Sequence, residues 1–246
     1  MELNQEQVAQ FRRDGFLLIR NFLEKRSCDI IKDIAKVHLK YAIEPIETEY
    51  EYIGIDNEMY KKSVRRIRQV YDRDIVFKEW MESQKIRPIL RQVLEEEPVL
   101  LTAHHNSIMT KSAHTSSQTC WHRDSRYWHY DGDNLVSIWL ALGAECSENG
   151  VLEFIPGTHH MEFGEECFDA KSFFRADFEQ NQEVIDKKVS FNLNAGDIVL
   201  FHSELLHRAN ANETDEDKIS FVYTVKGASV QAIEDTRSSK FREIIL

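Results

Sequence analysis

The chain has 246 residues, of which 42% are hydrophobic and 30% charged, and its formal net charge is −11. This length and composition are typical of a soluble globular protein and allow one domain with a single large core. The acidic balance argues against a nucleic-acid partner, because proteins that bind phosphate backbones carry basic surfaces. No apolar run is long enough to span a membrane, no signal-peptide pattern opens the chain, and the four cysteines lack CxxC spacing. We therefore expect a cytoplasmic protein with reduced thiols.

The first part of the chain is predicted to be mainly helical. Apolar residues recur at helical spacing over 4–14, after Ser27 and over 76–95, where Pro88 starts a new helical segment. A short apolar strand is expected at 16–19. The sequence thus predicts three helical regions ahead of the strand-rich part of the chain.

Residues 43–65 show no clear periodicity and change from acidic to basic along their length. We interpret them as irregular. A mobile flap over a cleft and a plain surface loop are both compatible with this composition.

From Val99 onward the sequence changes to short apolar segments separated by turn residues. These segments are VLLTA, NSIMTK, LVSIWLAL, VLEFIP, VSFNL, DIVLF and ISFVYTV. Strands at this spacing predict a sandwich or a barrel, and neither an internal repeat nor a linker divides the chain. We therefore predict one domain over residues 1–246, with a mainly helical layer at 1–98 and a β core at 99–246.

One short motif brings two metal-binding residue types close together. The segment WHRDSRYW places His122 and Asp124 two positions apart, so both side chains point to the same face of an extended segment. The segment GDIVLFHSELLHRAN supplies His207 just after an apolar strand. Two imidazoles and one carboxylate on one face form the facial triad of non-haem iron(II) oxygenases, which leaves coordination positions open. We predict a mononuclear iron(II) site at these three residues.

Other histidines compete with this assignment, because an HxD pair alone is a weak signal. His202 ends the same apolar strand, but its odd separation from His207 puts the two on opposite strand faces. The alternative role for His202 is that of a hydrogen-bonded core residue. The remaining histidines are predicted to be structural or surface residues: His104, His105, His114, His159 and His160.

Four segments, in order, resemble the phytanoyl-CoA dioxygenase family of iron(II)/2-oxoglutarate oxygenases. They are QEQVAQFRRDGFLLIRNFL, WHRDSRYW, NGVLEFIPGTHH and AGDIVLFHSELLHRANANET, and they span nearly the whole chain. The resemblance makes His207, rather than His202, the third metal ligand. It implies a mainly β fold with N-terminal helices, in which a double-stranded β-helix forms a cupin-like jelly-roll barrel with the metal at one mouth.

The resemblance also implies 2-oxoglutarate as a cosubstrate that chelates the iron, with O₂ at the remaining position. The far carboxylate is expected at Lys218, where the family usually has arginine, so the charge is present without the bidentate fork. Trp139 matches the tryptophan that packs against the cosubstrate, with a core aromatic residue as the alternative. Ser107 and, more loosely, Arg68 match further cosubstrate-binding positions.

The implied reaction is hydroxylation of a small-molecule or lipid substrate with release of succinate and CO₂. Related halogenases have a small residue in place of the metal-binding carboxylate, so Asp124 favours hydroxylation. Substrate contacts are expected from Arg126, Trp128 and Arg123, because arginines among aromatic residues suit an anionic or ring-bearing molecule. For Arg126, an ion pair with an acidic side chain is the alternative. Arg123 stands where the family often has glutamine, and Ala209 where it often has serine.

Two other functions are compatible with the same residues. A catalytically silent, cupin-like protein that binds a metal or ligand would keep the barrel, and the departures at Lys218 and Ala209 favour it. A zinc hydrolase would use the same ligand types. That function gives no role to Lys218, Trp139 or the order of the family-like segments.

Overall fold

The computed structural model describes residues Met1–Leu246. The α-helices are α1 (Gln5–Asp14), α2 (Lys25–Lys40), α3 (Glu49–Ile53), α4 (Glu58–Lys62), α5 (Ile75–Met81), α6 (Arg87–Leu94) and α7 (Glu179–Ile185). The strands are β1 (Phe16–Ile19), β2 (Ile46–Thr48), β3 (Val64–Arg68), β4 (Pro98–Leu101), β5 (Asn106–Lys111), β6 (Thr119–His122), β7 (Leu135–Ala141), β8 (Leu152–Phe154), β9 (Val189–Ser190), β10 (Ile198–His202), β11 (His207–Ala209), β12 (Lys218–Gly227) and β13 (Glu243–Ile245). None of the helices combines the length and apolar character needed to cross a bilayer.

The strands form two antiparallel sheets. The larger sheet has nine strands in the order β1-β10-β7-β12-β5-β3-β2, with β4 joined to β12 and β13 joined to β4. The smaller sheet has four strands in the order β6-β11-β8-β9. The architecture is therefore mainly β with additional helices, as the sequence predicted.

The larger sheet is buried on both faces, which explains why every residue of β7 and β12 is buried. One face packs against α1, α2, α5 and α6 through a core that includes Phe77, Leu140 and Phe221. The other face packs against the smaller sheet through a second core that includes Trp139 and Phe154. Because side chains alternate between the faces of a strand, adjacent residues of β7 contribute to different cores.

Helix α1 forms as predicted because its ends are capped by its own sequence. The Asn4 side chain accepts a hydrogen bond from the Gln7 N–H, and the Gln7 side chain accepts one from the Asn4 N–H. Gly15 ends the helix in the left-handed region at φ 79°. A Cβ at this glycine would lie 2.5 Å from the ring of His159. The tight turn leads directly into β1, which pairs with β10.

The predicted helical stretch at 76–95 is confirmed as α5 and α6, with Pro88 in the first turn of α6, where no N–H is needed. The prediction that residues 43–65 are irregular is wrong, because they contain β2, α3, α4 and the start of β3. Each of these elements has three to five residues, which is too short for periodicity to reveal. Pairing of β3 with β5 also depends on distant sequence. Strands from residues 1–98 thus join the larger sheet.

A buried carboxylate joins the end of β1 to the start of β10. Asp197 is 1% exposed and accepts hydrogen bonds from the N–H of Asn21 at 2.8 Å and of Asn194 at 2.9 Å. It also pairs with Arg20 at 2.7 Å. Burial acts to raise the pKa of Asp197, but these hydrogen bonds and the ion pair outweigh burial and lower the pKa. The ionised carboxylate helps to hold β1 against β10.

We expect Asp197→Ala to lower the free energy of unfolding by about 2 to 3 kcal/mol near neutral pH, because hydrogen bonds to a buried charge are lost. The folded-state pKa lies below the unfolded-state value of about 3.9, so this contribution is present above that value and disappears as the pH falls through the folded-state pKa. Urea unfolding from acidic to neutral pH measures the difference. The control Asp29→Ala removes an exposed pair with Lys25 and should change stability by less than about 0.5 kcal/mol. This explanation is contradicted if the difference in unfolding free energy between the parent protein and Asp197→Ala grows as the pH falls.

Candidate metal centre

Two neighbouring strands of the smaller sheet bring the predicted histidines together. His122 is the last residue of β6, and His207 is the first residue of β11. The strands pair antiparallel with His207 directly opposite His122, which places both side chains on the same face. Their ring centroids lie 4.2 Å apart. The sheet register therefore joins two residues that are distant in the sequence.

Asp124 completes the cluster from the turn that follows β6. Its N–H donates to the carbonyl oxygen of Ser203 at 2.9 Å, which ties this turn to the loop between β10 and β11. Asp124 Oδ1 lies 3.8 Å from His122 Nε2 and 3.6 Å from His207 Nε2. The three ligand atoms all lie within 4.8 Å of one another. The intervening Arg123 is extended, at φ −102° and ψ 142°. This is the backbone conformation in which residues at i and i+2, here His122 and Asp124, point to the same face.

Backbone carbonyl groups fix the orientation of both imidazoles. His122 Nδ1 donates to the oxygen of Cys120 at 2.8 Å, and His207 Nδ1 donates to the oxygen of Leu205 at 3.0 Å. The Nε2 lone pairs are then free to face Asp124. Burial lowers the pKa of both imidazoles, which keeps them neutral and able to bind a metal near neutral pH. This set of two nitrogens and one carboxylate oxygen fits iron(II).

Further polar side chains hold the Asp124 carboxylate in place. His105 Nε2 lies 2.6 Å from Oδ1, and Ser137 Oγ donates to Oδ2 at 3.0 Å. Burial acts to raise the pKa of Asp124, but His105, His207 and His122 outweigh burial and lower the pKa. The sequence marked His105 only as a structural or surface residue. His105 has a left-handed backbone, at φ 29°, and no spacing pattern indicates its contact with Asp124.

A small inner cavity of about 60 Å³ lies between the two sheets and reaches all three residues of the cluster. Lys218 and Trp139 line it, with Lys218 Nζ 5.3 Å from the Trp139 ring centroid. Lys218 also donates to Glu145 Oε2 at 3.2 Å. Glu145 accepts further hydrogen bonds from Ser220 Oγ at 2.7 Å and Trp139 Nε1 at 3.1 Å. Two predicted cosubstrate residues therefore surround a buried carboxylate that no sequence pattern indicated.

A wide outer cleft of about 960 Å³ also reaches His122 and Asp124. Arg68 and Ser107 line this cleft, where they are direct cross-strand partners on β3 and β5. Arg126 lines it as well. The structure thus divides the four cosubstrate candidates between the inner cavity and the outer cleft.

Arg123 and Trp128 line neither the inner cavity nor the outer cleft. Arg123 pairs with Glu204 at 3.1 Å. The Trp128 ring centroid lies 5.4 Å from that of His105, and Trp128 also packs against a small apolar cluster. Both residues contact segments that support the metal cluster.

His202 lies outside the cluster of ligand atoms. Its Nδ1 accepts a hydrogen bond from the Glu204 N–H at 3.2 Å, and its ring centroid lies 5.2 Å from that of His159. This is the hydrogen-bonded role that the sequence left as the alternative for His202.

Comparison with known proteins places the chain in a family. The model of the family described as Phytanoyl-CoA dioxygenase (PhyH) matches residues 11–220. The chain is 20% identical to phytanoyl-CoA dioxygenase domain-containing protein 1 of Rattus norvegicus, over 92% of this chain and 91% of that protein. It is 21% identical to ectoine dioxygenase of Halomonas elongata, over 98% of this chain and 75% of that enzyme.

Solved structures share the fold. The epimerase SnoN in complex with Fe³⁺, alpha ketoglutarate and nogalamycin RO has a TM-score of 0.76 and 17% identity, over 98% of this chain and 94% of that chain. EctD from S. alaskensis with 2-oxoglutarate and 5-hydroxyectoine has a TM-score of 0.75 and 20% identity, over 98% of this chain and 82% of that chain.

The fold and the His–Asp–His cluster define a mononuclear non-haem iron oxygenase. The chain belongs to the phytanoyl-CoA dioxygenase family. It is accordingly an iron(II)- and 2-oxoglutarate-dependent dioxygenase that uses O₂, as the sequence predicted.

We expect His207→Ala to weaken divalent metal binding by more than about 100-fold, since loss of a residue that merely orients a ligand already costs about 10- to 100-fold. An anaerobic cobalt(II) titration followed by visible absorption measures this affinity. The matched control His202→Ala removes a neighbouring histidine and should bind cobalt(II) as the parent protein does. If His202→Ala weakened cobalt(II) binding more than His207→Ala does, His202 rather than His207 would be the third ligand.

Proposed function

We propose that the protein hydroxylates a small-molecule or lipid substrate while it converts 2-oxoglutarate to succinate and CO₂. One observation carries this proposal: His122 and Asp124 lie on the walls of both the inner cavity and the outer cleft. A metal held there faces a small buried space and a wide open one. The small inner cavity suits a compact cosubstrate, and the wide outer cleft suits a larger substrate.

Each part of the site has a distinct task in this proposal. His122, Asp124 and His207 hold the iron, and their orientation leaves the opposite coordination positions open. The bound iron with 2-oxoglutarate and O₂ supplies the oxidation, in which the cosubstrate loses CO₂ and one oxygen atom enters a substrate C–H bond. Lys218 and Trp139 form the cosubstrate wall. The carboxylate at Asp124 favours hydroxylation because it occupies the position that a halide would need.

The outer cleft is proposed to bind a substrate with an anionic group, and Arg126 is its leading contact. Arg126 Nε and Nη1 are buried without a hydrogen-bond partner. The guanidinium carbon lies 3.5 Å from the ring centroid of Phe173 and 4.1 Å from that of Tyr127, so two aromatic rings help to hold it in place. No acidic side chain pairs with Arg126, so the alternative of an internal ion pair has no support. A carboxylate or phosphate on the substrate would satisfy these donors.

Two more arginines of the cleft strengthen the case for an anion. Arg68 Nε is buried without a partner, and Arg237 donates only to a carbonyl oxygen, that of Ala103 at 3.3 Å. Ser107 lies beside Arg68 on the neighbouring strand. This positive lining stands in a chain whose net charge is −11, so the charge of the cleft is local. We place Arg68 and Ser107 at the boundary between cosubstrate and substrate, with Arg123 and Trp128 as flanking residues.

The architecture supports a finer description of the fold within the same proposal. Two antiparallel sheets face each other across a shared core, and both histidines of the cluster lie on the smaller one. We propose that they close into a double-stranded β-helix, a jelly-roll barrel. Because β1, β2 and β3 join strands from the second part of the chain, one domain over residues 1–246 is the unit that this barrel requires.

The proposed reaction is tested by measuring succinate and hydroxylated product together. Candidate substrates should include carboxylated, phosphorylated and neutral small molecules and lipids, with mass spectrometry of the product. We expect a true substrate to give hydroxylated product and succinate in equal amounts, and Asp124→Ala to abolish both. Hydroxylation that persists without 2-oxoglutarate, or in the Asp124→Ala variant, contradicts the proposal.

For an anionic substrate, Arg126→Met should raise KM by about tenfold or more, because a charge-assisted hydrogen bond is lost. The dissociation constant of 2-oxoglutarate should stay unchanged. A matched control is Arg66→Met/Glu47→Gln, which removes a pair of the same cleft already joined at 2.6 Å and leaves the net charge unaltered. Equal effects of the two variants on KM would show that Arg126 has no specific contact.

A further inference from the structure

One cationic side chain that lines the inner cavity has no acidic partner. Four cationic side chains line it: Arg65, Lys111 and Lys218, none of which is more than 7% exposed, and Arg208, which pairs with Glu153 at 2.5 Å. Arg65 pairs with buried Glu49 at 3.3 Å, and Lys218 pairs with buried Glu145 at 3.2 Å. Lys111 pairs with no acidic side chain. Lys111 is therefore the cationic side chain of this cavity without an acidic partner.

The Lys111 ammonium group has unused hydrogen-bonding capacity. It donates to the carbonyl oxygen of Ser117 at 2.5 Å, whereas an ammonium group has three donors. Burial lowers the pKa of Lys111, and the charges of Arg65 and Lys218 lower it further, against the opposing effect of Glu49. A carboxylate that enters the cavity would supply both the missing charge and the missing acceptors.

Lys218 is less suited to receive that carboxylate. Its partner Glu145 is 1% exposed and is also held by Ser220 Oγ and Trp139 Nε1. A second carboxylate at Lys218 would lie against this fixed one, and two neighbouring buried carboxylates resist joint ionisation. The charge of Lys218 is thus already balanced by that of Glu145.

Lys111 is placed to act at the same end of the cavity. On the paired strands β5 and β12, Lys111 lies directly opposite Lys218, so the two side chains share a face. Met109, two residues earlier on β5, lines the same cavity. A ligand chelated at the metal and extending along this face meets Lys111 beside Lys218.

We infer that Lys111 binds the distal carboxylate of 2-oxoglutarate, while Lys218 and Glu145 form a fixed neutral pair beside it. This inference rests on the proposed binding of 2-oxoglutarate in the inner cavity. It assigns to Lys111 the preference for a dicarboxylic over a monocarboxylic 2-oxo acid. Family resemblance points instead to Lys218, so the two assignments make opposite predictions.

The test compares two ligands that chelate iron in the same way. 2-Oxopentanoate has the keto acid of 2-oxoglutarate but a methyl group in place of the distal carboxylate. Anaerobic titration of the iron(II)-loaded protein, followed by the visible charge-transfer absorption of the chelate, gives a dissociation constant for each. We expect the parent protein to prefer 2-oxoglutarate by about tenfold or more, and Lys111→Met to lose that preference. Binding of 2-oxopentanoate should change little, which reports an intact iron site.

Two controls separate Lys111 from Lys218. Lys218→Met alone leaves Glu145 unpaired and would repel any anion, so the double variant Lys218→Met/Glu145→Gln is the proper comparison. It should keep the preference for 2-oxoglutarate to within about threefold. Lys111→Gln keeps a donor for the Ser117 carbonyl and guards against misfolding of Lys111→Met, and it should lose the preference as well.

The contrary results are equally distinct. If Lys111→Gln keeps the preference while Lys218→Met/Glu145→Gln loses it, Lys218 is the anchor and the inference is wrong. If neither variant changes the preference, the anchor is elsewhere and the inference is wrong again. If the parent protein shows no charge-transfer absorption with either keto acid, the proposed function fails together with the inference.

Discussion

The pairing of β6 with β11 is the constraint on which the metal centre depends. His122 and His207 face the same side only because they are direct partners in this register. A slip of one residue would turn one imidazole to the opposite face. The N–H of Asp124 bonds to Ser203 O, and the Leu206 N–H bonds to Thr158 Oγ1 at 3.0 Å. These contacts fix the ends of the strands, so backbone hydrogen bonds set the geometry of the ligands.

The burial of the larger sheet on both faces gives this register a rigid support. Helices cover one face and the smaller sheet covers the other, so the smaller sheet is free to present its ligands to the space between the two. Within this space, the Ser137 hydroxyl bonds to both Asp124 and Thr224. Lys111 in the inner cavity has unused donors, and Arg68 and Arg126 in the outer cleft have buried donors without a partner. Unmet donors on both sides of a metal centre are consistent with two anionic ligands.

The His–Asp–His cluster was predictable because the spacing and segment order of its residues carry the signal. His122 and Asp124 are local, and the family-like segments selected His207 over His202. The long apolar strands β7, β10 and β12 were visible for a similar reason, since residues buried on both faces leave a continuous apolar run. Short elements such as β2 and α3 were missed, because too few residues repeat.

The supporting contacts were not predictable, because each depends on folding distant residues together. His105 reaches Asp124 through a left-handed turn, and Glu145, in the loop after β7, meets Lys218 at the start of β12. A carboxylate after an apolar strand has no periodicity that marks it as buried. The predicted cosubstrate residues also lie in two separate places, the inner cavity and the outer cleft. The spacing of residues along the sequence does not show this division.

We propose that His122, Asp124 and His207 are the three protein ligands of the iron and leave positions open for the reactants. A crystal structure grown without oxygen, with iron(II) and 2-oxoglutarate, tests this most directly through anomalous scattering at the iron edge. The account predicts one iron bound by both Nε2 atoms and Asp124, with the keto acid chelated towards the inner cavity. An iron bound elsewhere, or a fourth protein ligand such as His105 that closes an open position, would contradict it.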